Sequence, residues 1–407
     1  MIERLRFARA WLVAIVLLLL ACSPQAIVRE VLGENETRTP TTRATSFARA
    51  ITETATSAPS ATRSVAGMDT PTPGATATVG ATPTRPPALQ LRTDLPALAL
   101  RDFPRPANDN GRCFHFLTRG YYSPRDFEIQ IARLKGLQAR WVLALYADEN
   151  QLRLAAREFK AAGIVPVWRK TLRAHQRYLG WGRDIAILNE IGLPPYFQIY
   201  NEPEVEEEWD GNTINREQWI ANFIQAARDV YNAGGYPGLQ VLDDEWGLAV
   251  IREIKARQGE RMFGRMFFVP HPYGANHPPS WNQDEIGVLG FQFAARVFQS
   301  EIGFVPPFIA GEGGWKYKSD EDKRFPVVDD AIHAKYHVEV FNWFLTGKLS
   351  DGAALPDYLF AFCPWLLSGE TETAAWYDSF EGNRELTIAE VKKLTPAATR
   401  KFSWDKK

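Results

Sequence analysis

The sequence predicts an α/β protein whose main domain is a (β/α)8 TIM barrel, preceded by a signal peptide and a disordered tether. Over residues 99–407, eight apolar runs alternate with amphipathic segments of helical period. This alternation is typical of parallel strands joined by right-handed crossovers, and roughly three hundred residues is the usual size of one such barrel. Before residue 99 the chain has a short apolar run followed by a stretch rich in Thr, Ala, Pro and Ser.

Helix start and stop signals bound the eight runs. Ser123 followed by Pro124 is typical of a helix N-terminus, and Gly163 of a helix end. The predicted strands are 113–117, 139–146, 164–169, 195–200, 239–243, 265–273, 306–314 and 357–367. Later helices are predicted near 184–190, 215–232, 245–259, within 284–299, 331–345 and 387–394. The alternative is a doubly wound open sheet, which would need fewer strands or an antiparallel edge.

The N-terminus carries an export signal. Arg4, Arg6 and Arg9 precede the apolar run WLVAIVLLLLA, which is too short for an ordinary transmembrane span. The run closes on a Leu-Leu-Ala-Cys sequence ending at Cys22, which resembles a bacterial lipobox. The resemblance implies that residues 1–21 are a lipoprotein signal peptide and that Cys22 is lipidated. A plain signal peptide with an incidental cysteine is the alternative.

Residues 22–98 are predicted to be a disordered linker. They lack aromatic clusters and hydrophobic periodicity, so they cannot bury enough apolar surface to offset the entropy of ordering. With a lipidated Cys22, this linker would tether an exported domain to a membrane of the cell envelope, facing outward. The formal net charge of −1 gives no electrostatic case for nucleic acid as a partner.

Cys113 and Cys363 lie in the first and last predicted strands. A disulfide is permitted in an exported protein, but the sequence leaves open whether the two thiols are bonded. No C-x-x-C spacing indicates a zinc or redox site.

Polar and aromatic residues follow the predicted strands at their carboxyl ends. In a barrel these ends converge on one face, where the chemistry of such folds is found. Glu202 ends the fourth predicted strand and Glu312 the seventh. Two carboxylates across one mouth are what glycoside hydrolysis needs, one to protonate the leaving oxygen and one to attack the anomeric carbon. The other residues at these ends are Arg169, Asn201, His271, Tyr273 and Trp365.

These residues resemble the retaining glycoside hydrolases of clan A, which include cellulases, mannanases and β-xylosidases. The fourth strand of that clan commonly ends in Asn-Glu-Pro, as Asn201-Glu202-Pro203 does here. The resemblance implies that Glu202 is the general acid/base and that Asn201 binds the sugar 2-hydroxyl. The clan's nucleophile ends the seventh strand, and FIAGEGGW places Glu312 there.

The same resemblance assigns roles to the sixth and eighth predicted strands. In VPHPYG, Tyr273 would hydrogen-bond the nucleophile and His271 would bind substrate. Trp365 would form the floor of the cleavage subsite, with a cis peptide bond to Leu366. Trp315, three residues past Glu312, is a candidate for stacking on a sugar, and plain packing is the alternative.

One feature departs from the clan. Many members carry an arginine at the end of the second strand that contacts the nucleophile, and WVLALYADEN has none. Arg169 or Arg119 is a candidate replacement, and the sequence does not choose between them. The spacing of His333 and His337 is metal-like, but a solvated or packed helix face explains it better.

We therefore expect an exported, membrane-anchored retaining glycoside hydrolase that acts on a poly- or oligosaccharide without metal or organic cofactor. Two alternatives remain open. One is a glycan-binding pseudoenzyme that keeps the barrel without activity. The other is a solute-binding lipoprotein of a transporter, which would have two lobes and a hinge.

Overall fold

The computed structural model describes residues 86–283, 287–394 and 399–405. The predicted signal peptide, Cys22 and most of the predicted linker lie outside these residues. The barrel prediction is confirmed, because seven parallel strands form one sheet in sequence order. They are β1 (Trp141–Tyr146), β2 (Val165–Lys170), β3 (Tyr196–Ile199), β4 (Tyr236–Leu239), β5 (Phe267–Phe268), β6 (Phe308–Ala310) and β7 (Leu359–Phe362). They correspond to the second to eighth predicted strands.

Residues 112–116, at the first predicted strand, close the ring between β7 and β1. The Cys113 amide donates to the Phe362 carbonyl at 3.2 Å, on the β7 side. The Phe116 amide donates to the Leu143 carbonyl of β1 at 2.9 Å. Both neighbours are therefore paired in parallel with this short segment, which occupies the eighth position of the barrel.

Eight α-helices surround the strands in the described part of the chain. They are α1 (Pro124–Gly136), α2 (Glu149–Ala162), α3 (Trp181–Ile191), α4 (Arg216–Asn232), α5 (Asp244–Ala256), α6 (Phe291–Ile302), α7 (Asp330–Thr346) and α8 (Glu385–Lys393). The predicted terminal signals are confirmed: Ser123 caps α1 in a capping box, and Gly163 ends α2 at a left-handed φ of 69°. None of the described helices is long and apolar enough to cross a membrane.

The fifth predicted strand is shifted in the structure. It was placed at 239–243, but β4 ends at Leu239 and residues 240–243 lead into α5. The cause is helix capping, because the Asp243 side chain accepts a hydrogen bond from the Glu245 amide and thereby starts the helix. The sixth helix, predicted within 284–299, begins inside that range at Phe291 and ends beyond it at Ile302.

Alternation along the strands divides the core into two layers. In β1, Trp141 and Leu143 point into the barrel, whereas Val142 and Tyr146 pack between the strands and the helices. Every residue of this strand is buried, as expected for a parallel sheet covered on both faces. The barrel interior is therefore a packed core below the open end that carries the functional residues.

A disulfide between Cys113 and Cys363 joins the closing segment to the chain that follows β7. Both cysteines are fully buried in the inner layer. The bond answers the question that the sequence left open and links residues 250 positions apart.

The barrel begins earlier in the chain than the predicted boundary at residue 98. The Leu89 amide donates to the Arg257 carbonyl, and the Leu98 amide to the Gly264 carbonyl, both at 2.8 Å. The Arg92 amide donates to the Asn232 side chain. The end of the predicted linker is therefore part of the folded domain from Leu89 onward.

Candidate active site

Six of the seven residues predicted at the strand ends line a common cavity of about 820 Å³ at the carboxyl end of the barrel, and His271 is not among the lining residues. Arg169 belongs to β2, while Glu202 follows β3, Glu312 follows β6 and Trp365 follows β7. The lining residues are Thr118, Leu145, Arg169, Lys170, Thr171, Leu172, Arg173, Asn201, Glu202, Glu207, Glu208, Tyr273, Glu312, Lys316, Trp365 and Glu372. Most of them are polar, so the cavity presents many hydrogen-bonding groups.

Glu202 and Glu312 approach each other in this cavity. One carboxylate oxygen of each lies within 4.8 Å of the other. Their surroundings differ, because the Glu202 side chain is 21% exposed and that of Glu312 only 5%. One carboxylate is thus accessible to solvent and ligand, and its partner is held in the wall.

The backbone around Glu202 adopts an uncommon conformation. Tyr200 has a φ of 63° and Glu202 a φ of 30°, in the left-handed region that side chains other than glycine rarely adopt. The Glu202 amide is fixed by donating to Oε1 of Gln240, beyond β4. Neighbouring structure thus maintains an unfavourable turn that brings the carboxylate over the mouth of the barrel.

Glu312 is held by one hydrogen bond to each carboxylate oxygen. Arg169 Nη1 donates to Oε1 at 2.7 Å, and the Tyr273 hydroxyl donates to Oε2 at 2.9 Å. Burial alone would raise the pKa of Glu312, but the charges of His271 and Arg169 outweigh it and hold that pKa below its usual value. Glu312 is therefore an ionised and oriented carboxylate.

His271 lies between the two carboxylates. Its Nδ1 is 2.7 Å from Glu202 Oε1 and 3.7 Å from Glu312 Oε2. Burial opposes protonation of the ring, but the charges of Glu312 and Glu202 raise the pKa of His271 above its usual value. Burial likewise opposes ionisation of Glu202, yet the hydrogen bond and charge of His271 lower its pKa. The side chain of His271 is fully buried, so the structure contradicts direct substrate binding by this residue. His271 instead bridges the carboxylates of Glu202 and Glu312.

The arginine that contacts Glu312 is Arg169. Besides Glu312, its Nη1 contacts Asn201 Oδ1 at 2.6 Å. The other candidate, Arg119, donates instead to Tyr121 and Asp126 outside the cavity. Arg169 thus supplies the contact with Glu312 for which the sequence left Arg169 and Arg119 open. It also lines the cavity, and its contact with substrate stays a prediction.

Asn201 is buried and already engaged. Its Oδ1 accepts from Gln198 at 2.9 Å as well as from Arg169, and its Nδ2 donates to Glu208 Oε1 at 2.9 Å. It adjoins the cavity, and its contact with a sugar hydroxyl stays a prediction.

Trp365 is half-buried in the cavity wall, consistent with its predicted place at the floor of a subsite. The peptide bond to Leu366 is cis, as the resemblance implied. The ring packs edge-on against His115, with centroids 4.3 Å apart.

The structure contradicts the stacking role predicted for Trp315. Its side chain is only 1% exposed and its indole N–H donates to the His277 carbonyl at 2.8 Å. The rings of Tyr336 and His337, both on α7, pack against it. Close approach of Gly274 closes the remaining side, because a Cβ there would lie 2.2 Å from the indole nitrogen. Trp315 is a packing residue beneath the loop that follows Glu312.

Sequence reasoning missed Gln198, Gln240 and His115. Gln198 lies in β3 and Gln240 directly follows β4, at positions where the sequence pattern does not indicate contacts with the site. His115 could have been found from the sequence. It lies two residues after Cys113 in the first predicted strand, so both side chains point to the same face of the strand, the barrel interior.

Glu202, His271 and Glu312 also offer three ligand atoms close enough to hold a metal ion. However, both oxygens of Glu312 already accept hydrogen bonds, and His271 Nδ1 is bonded to Glu202. The cationic guanidinium of Arg169, 2.7 Å from Glu312, opposes a second positive charge. The group is therefore better suited to moving a proton than to holding a divalent cation.

No family model and no curated protein sequence matches this chain. A GH128 (subgroup I) endo-beta-1,3-glucanase from Amycolatopsis mediterranei, in complex with laminaritriose and laminaribiose, is similar at 13% identity and a TM-score of 0.43, covering 71% of this chain and all of that one. The family 51 α-L-arabinofuranosidase from Bifidobacterium longum is similar at 11% identity and a TM-score of 0.45, and the match covers 71% of this chain and 72% of the arabinofuranosidase chain. A D-psicose 3-epimerase from Clostridium cellulolyticum is similar at 11% identity and a TM-score of 0.39, and the match covers 69% of this chain and 96% of the epimerase chain.

Proposed function

We propose that the protein is a retaining glycoside hydrolase that cleaves a poly- or oligosaccharide by double displacement. The observation that supports this most is the pair of carboxylates, Glu202 and Glu312, whose nearest ligand oxygens lie within 4.8 Å. Retaining enzymes hold the two groups about 5–5.5 Å apart, whereas inverting enzymes leave about 6.5–9.5 Å for a water molecule. The short separation therefore favours direct attack by one carboxylate.

Glu312 is the proposed nucleophile. It attacks the anomeric carbon, and the glycosidic bond to the leaving oxygen breaks as the glycosyl-enzyme ester forms. Arg169 and Tyr273 keep the carboxylate ionised and fix its direction before the attack. Its burial also excludes bulk water from the ester.

Glu202 is the proposed acid/base, acting together with His271. An acid catalyst must carry a proton, whereas the charge of His271 favours ionised Glu202 in the free protein. The two groups are 2.7 Å apart and titrate as a pair that shares one proton. In the first step this proton passes through Glu202 to the leaving oxygen. In the second step Glu202 takes a proton from the attacking water, and the pair is restored.

Active-site substitutions test the assignment. Glu312→Ala and Glu202→Gln should each abolish most hydrolysis on a panel of defined polysaccharides, while circular dichroism stays unchanged. Glu128→Gln, on an exposed position of α1, is the matched control and should keep full activity. Near-normal turnover by either active-site variant would refute the assignment.

A mechanism-based fluoro-sugar separates an enzyme from a glycan-binding pseudoenzyme. With the enzyme, mass spectrometry should find the sugar esterified to Glu312. Binding without a covalent adduct or turnover would instead indicate the pseudoenzyme. The two-lobed architecture expected of a solute-binding lipoprotein has no counterpart in the described residues, which form one barrel.

The proposed location is the outside of a cell-envelope membrane, with an anchor at Cys22. Labelling with a fatty-acid analogue in a bacterial host should modify the wild-type protein and not Cys22→Ser. Equal labelling of both proteins, or none, would argue against the lipid anchor.

A further inference from the structure

His115 is a buried histidine that the mechanism above does not use. It has no exposed surface and lies between the nucleophile and the subsite floor. Its Nε2 is 3.6 Å from Glu312 Oε1, and its ring packs edge-on against Trp365. Neither ring nitrogen has a hydrogen-bond partner among the protein atoms that the structure describes. Burial of an unpaired imidazole is unfavourable, so this position calls for an explanation.

The backbone holds His115 firmly in place. Its amide donates to the Pro364 carbonyl at 3.2 Å, and its carbonyl accepts from the Leu367 amide at 2.9 Å. The disulfide between Cys113 and Cys363 lies two residues before both His115 and Trp365. The histidine and the tryptophan are therefore carried by two segments that are covalently joined just below them.

Three charged or titratable groups face the ring from other elements. They are Glu312 after β6, Arg169 in β2 and His271 after β5. Burial and the two cationic neighbours oppose a proton on the ring, and Glu312 favours one. Since burial is the largest of these effects, the ring is neutral at ordinary pH.

We propose that His115 is an uncharged positioning residue for Glu312, with its single ring proton on Nε2, directed at Oε1. This inference rests on the proposed function of Glu312. At 3.6 Å the contact is too long for a hydrogen bond in the free protein. Such contacts commonly tighten when substrate binds. The same ring supports Trp365, so one side chain aligns the nucleophile with the floor of the subsite.

Two substitutions separate the N–H group from the shape of the ring. His115→Phe keeps a planar ring against Trp365 and removes the donor, whereas His115→Gln keeps a donor near the position of Nε2. We expect His115→Phe to lower kcat about tenfold, as for one lost hydrogen bond to a charged group, with little change in KM. Its acidic limb of kcat/KM should move to higher pH, because Glu312 loses a dipole that favours its ionised form. His115→Gln should recover most of kcat.

Unchanged kcat and pH profile in His115→Phe would overturn the proposal, and so would a rise in KM alone, which would indicate substrate contact.

Nitrogen NMR of the full protein at pH 6 gives a second readout that needs no activity. We expect a neutral ring protonated at Nε2, and carbon NMR should show Glu312 titrating at higher pH in His115→Phe. An imidazolium, a proton on Nδ1 or an unchanged Glu312 titration would refute the proposal. If the wild-type protein hydrolyses no saccharide, the proposed function fails while the NMR result still decides the coupling.

Discussion

At the scale of single residues, the two carboxylates gain different properties from different neighbours. Glu312 accepts from Arg169 and Tyr273 and is buried, whereas Glu202 is partly exposed and bonded to His271. Both have lowered pKa values in the free protein. The distinction between the proposed nucleophile and the proposed acid therefore comes from accessibility and from the proposed shared proton, rather than from one raised pKa.

Replacement of Arg169 should change the pH dependence of hydrolysis. Arg169→Gln removes a positive charge that lowers the pKa of Glu312, so that pKa rises and the nucleophile becomes protonated at higher pH. The acidic limb of kcat/KM should move upward, and kcat should fall by about 10²–10³ as for other lost electrostatic contacts to reacting groups. Initial rates between pH 3 and pH 9 measure both effects.

Arg119→Gln is the matched control for this charge change, because Arg119 pairs with Asp126 outside the cavity. It should leave the pH profile unchanged. An equal displacement of the acidic limb in both variants would contradict a specific role for Arg169.

The sequence could predict Glu202, Glu312, Tyr273 and Trp365 because each ends a strand, and parallel strands bring their ends together. It could not distinguish residues that face the cavity from those that face the core beyond the strands. Trp315 was wrongly predicted to stack on a sugar for this reason, since loop geometry turns it towards α7. His271 was placed at the right site, but its burial depends on packing that no local pattern records.

At the scale of elements, the turn after β3 is held by a hydrogen bond to Gln240, which directly follows β4. Gln240 Oε1 accepts from the Glu202 amide, and Gln240 is fully buried. Gln240→Leu leaves this amide unpaired and should destabilise the fold by about 1–3 kcal/mol. It should also lower kcat, because Glu202 loses its fixed direction. Urea unfolding and steady-state kinetics measure the two effects, and a variant with normal stability and normal kcat would show that the turn holds without Gln240.

The helix α7 carries two buried histidines whose titration couples stability to pH. His333 and His337 pack on each other and on Trp376, so this helix face is packed, which is one of the two alternatives to a metal site that the sequence left open. Burial lowers the pKa of His337 from 6.5 to about 4. The folded protein thus binds fewer protons than the unfolded chain within this window, and stability decreases as the pH falls from about 6.5 to about 4.

Substitution of His337 tests this coupling. His337→Gln should show a smaller loss of unfolding free energy between pH 7 and pH 4.5 than the wild-type protein, even if its stability at pH 7 is lower. Asn189→Gln, on an exposed position of α3, adds or removes no titratable group and should keep the wild-type slope. Identical slopes for all three proteins in urea titrations would contradict a contribution from His337.

At the scale of the whole molecule, the count of strand–helix units was enough to predict the barrel, because eight repeats have few other arrangements. The exact positions at which the strands and the folded domain begin and end were less predictable. The short closing segment at 112–116 pairs with both neighbours but forms only isolated bridges, and β4 is shifted because Asp243 caps α5. The folded domain also extends back to Leu89, since backbone hydrogen bonds and the packing of Leu89, Leu91 and Leu95 against the core hold that part of the chain.

The ring of strands is also closed covalently. The disulfide between Cys113 and Cys363 spans 250 residues and so restricts most of the unfolded chain. Removing it with the double variant Cys113→Ser/Cys363→Ser should lower the free energy of unfolding by on the order of 2–5 kcal/mol. Because the bond lies two residues before His115 and Trp365, kcat should also fall, while Glu202 and Glu312 remain chemically intact.

Denaturant unfolding with and without dithiothreitol measures the loss of unfolding free energy. The wild-type protein should approach the double variant when reduced, and the double variant should not respond to the reductant. A wild-type protein equally stable in both conditions, with its disulfide shown to be reduced, would mean that hydrogen bonds alone close the barrel.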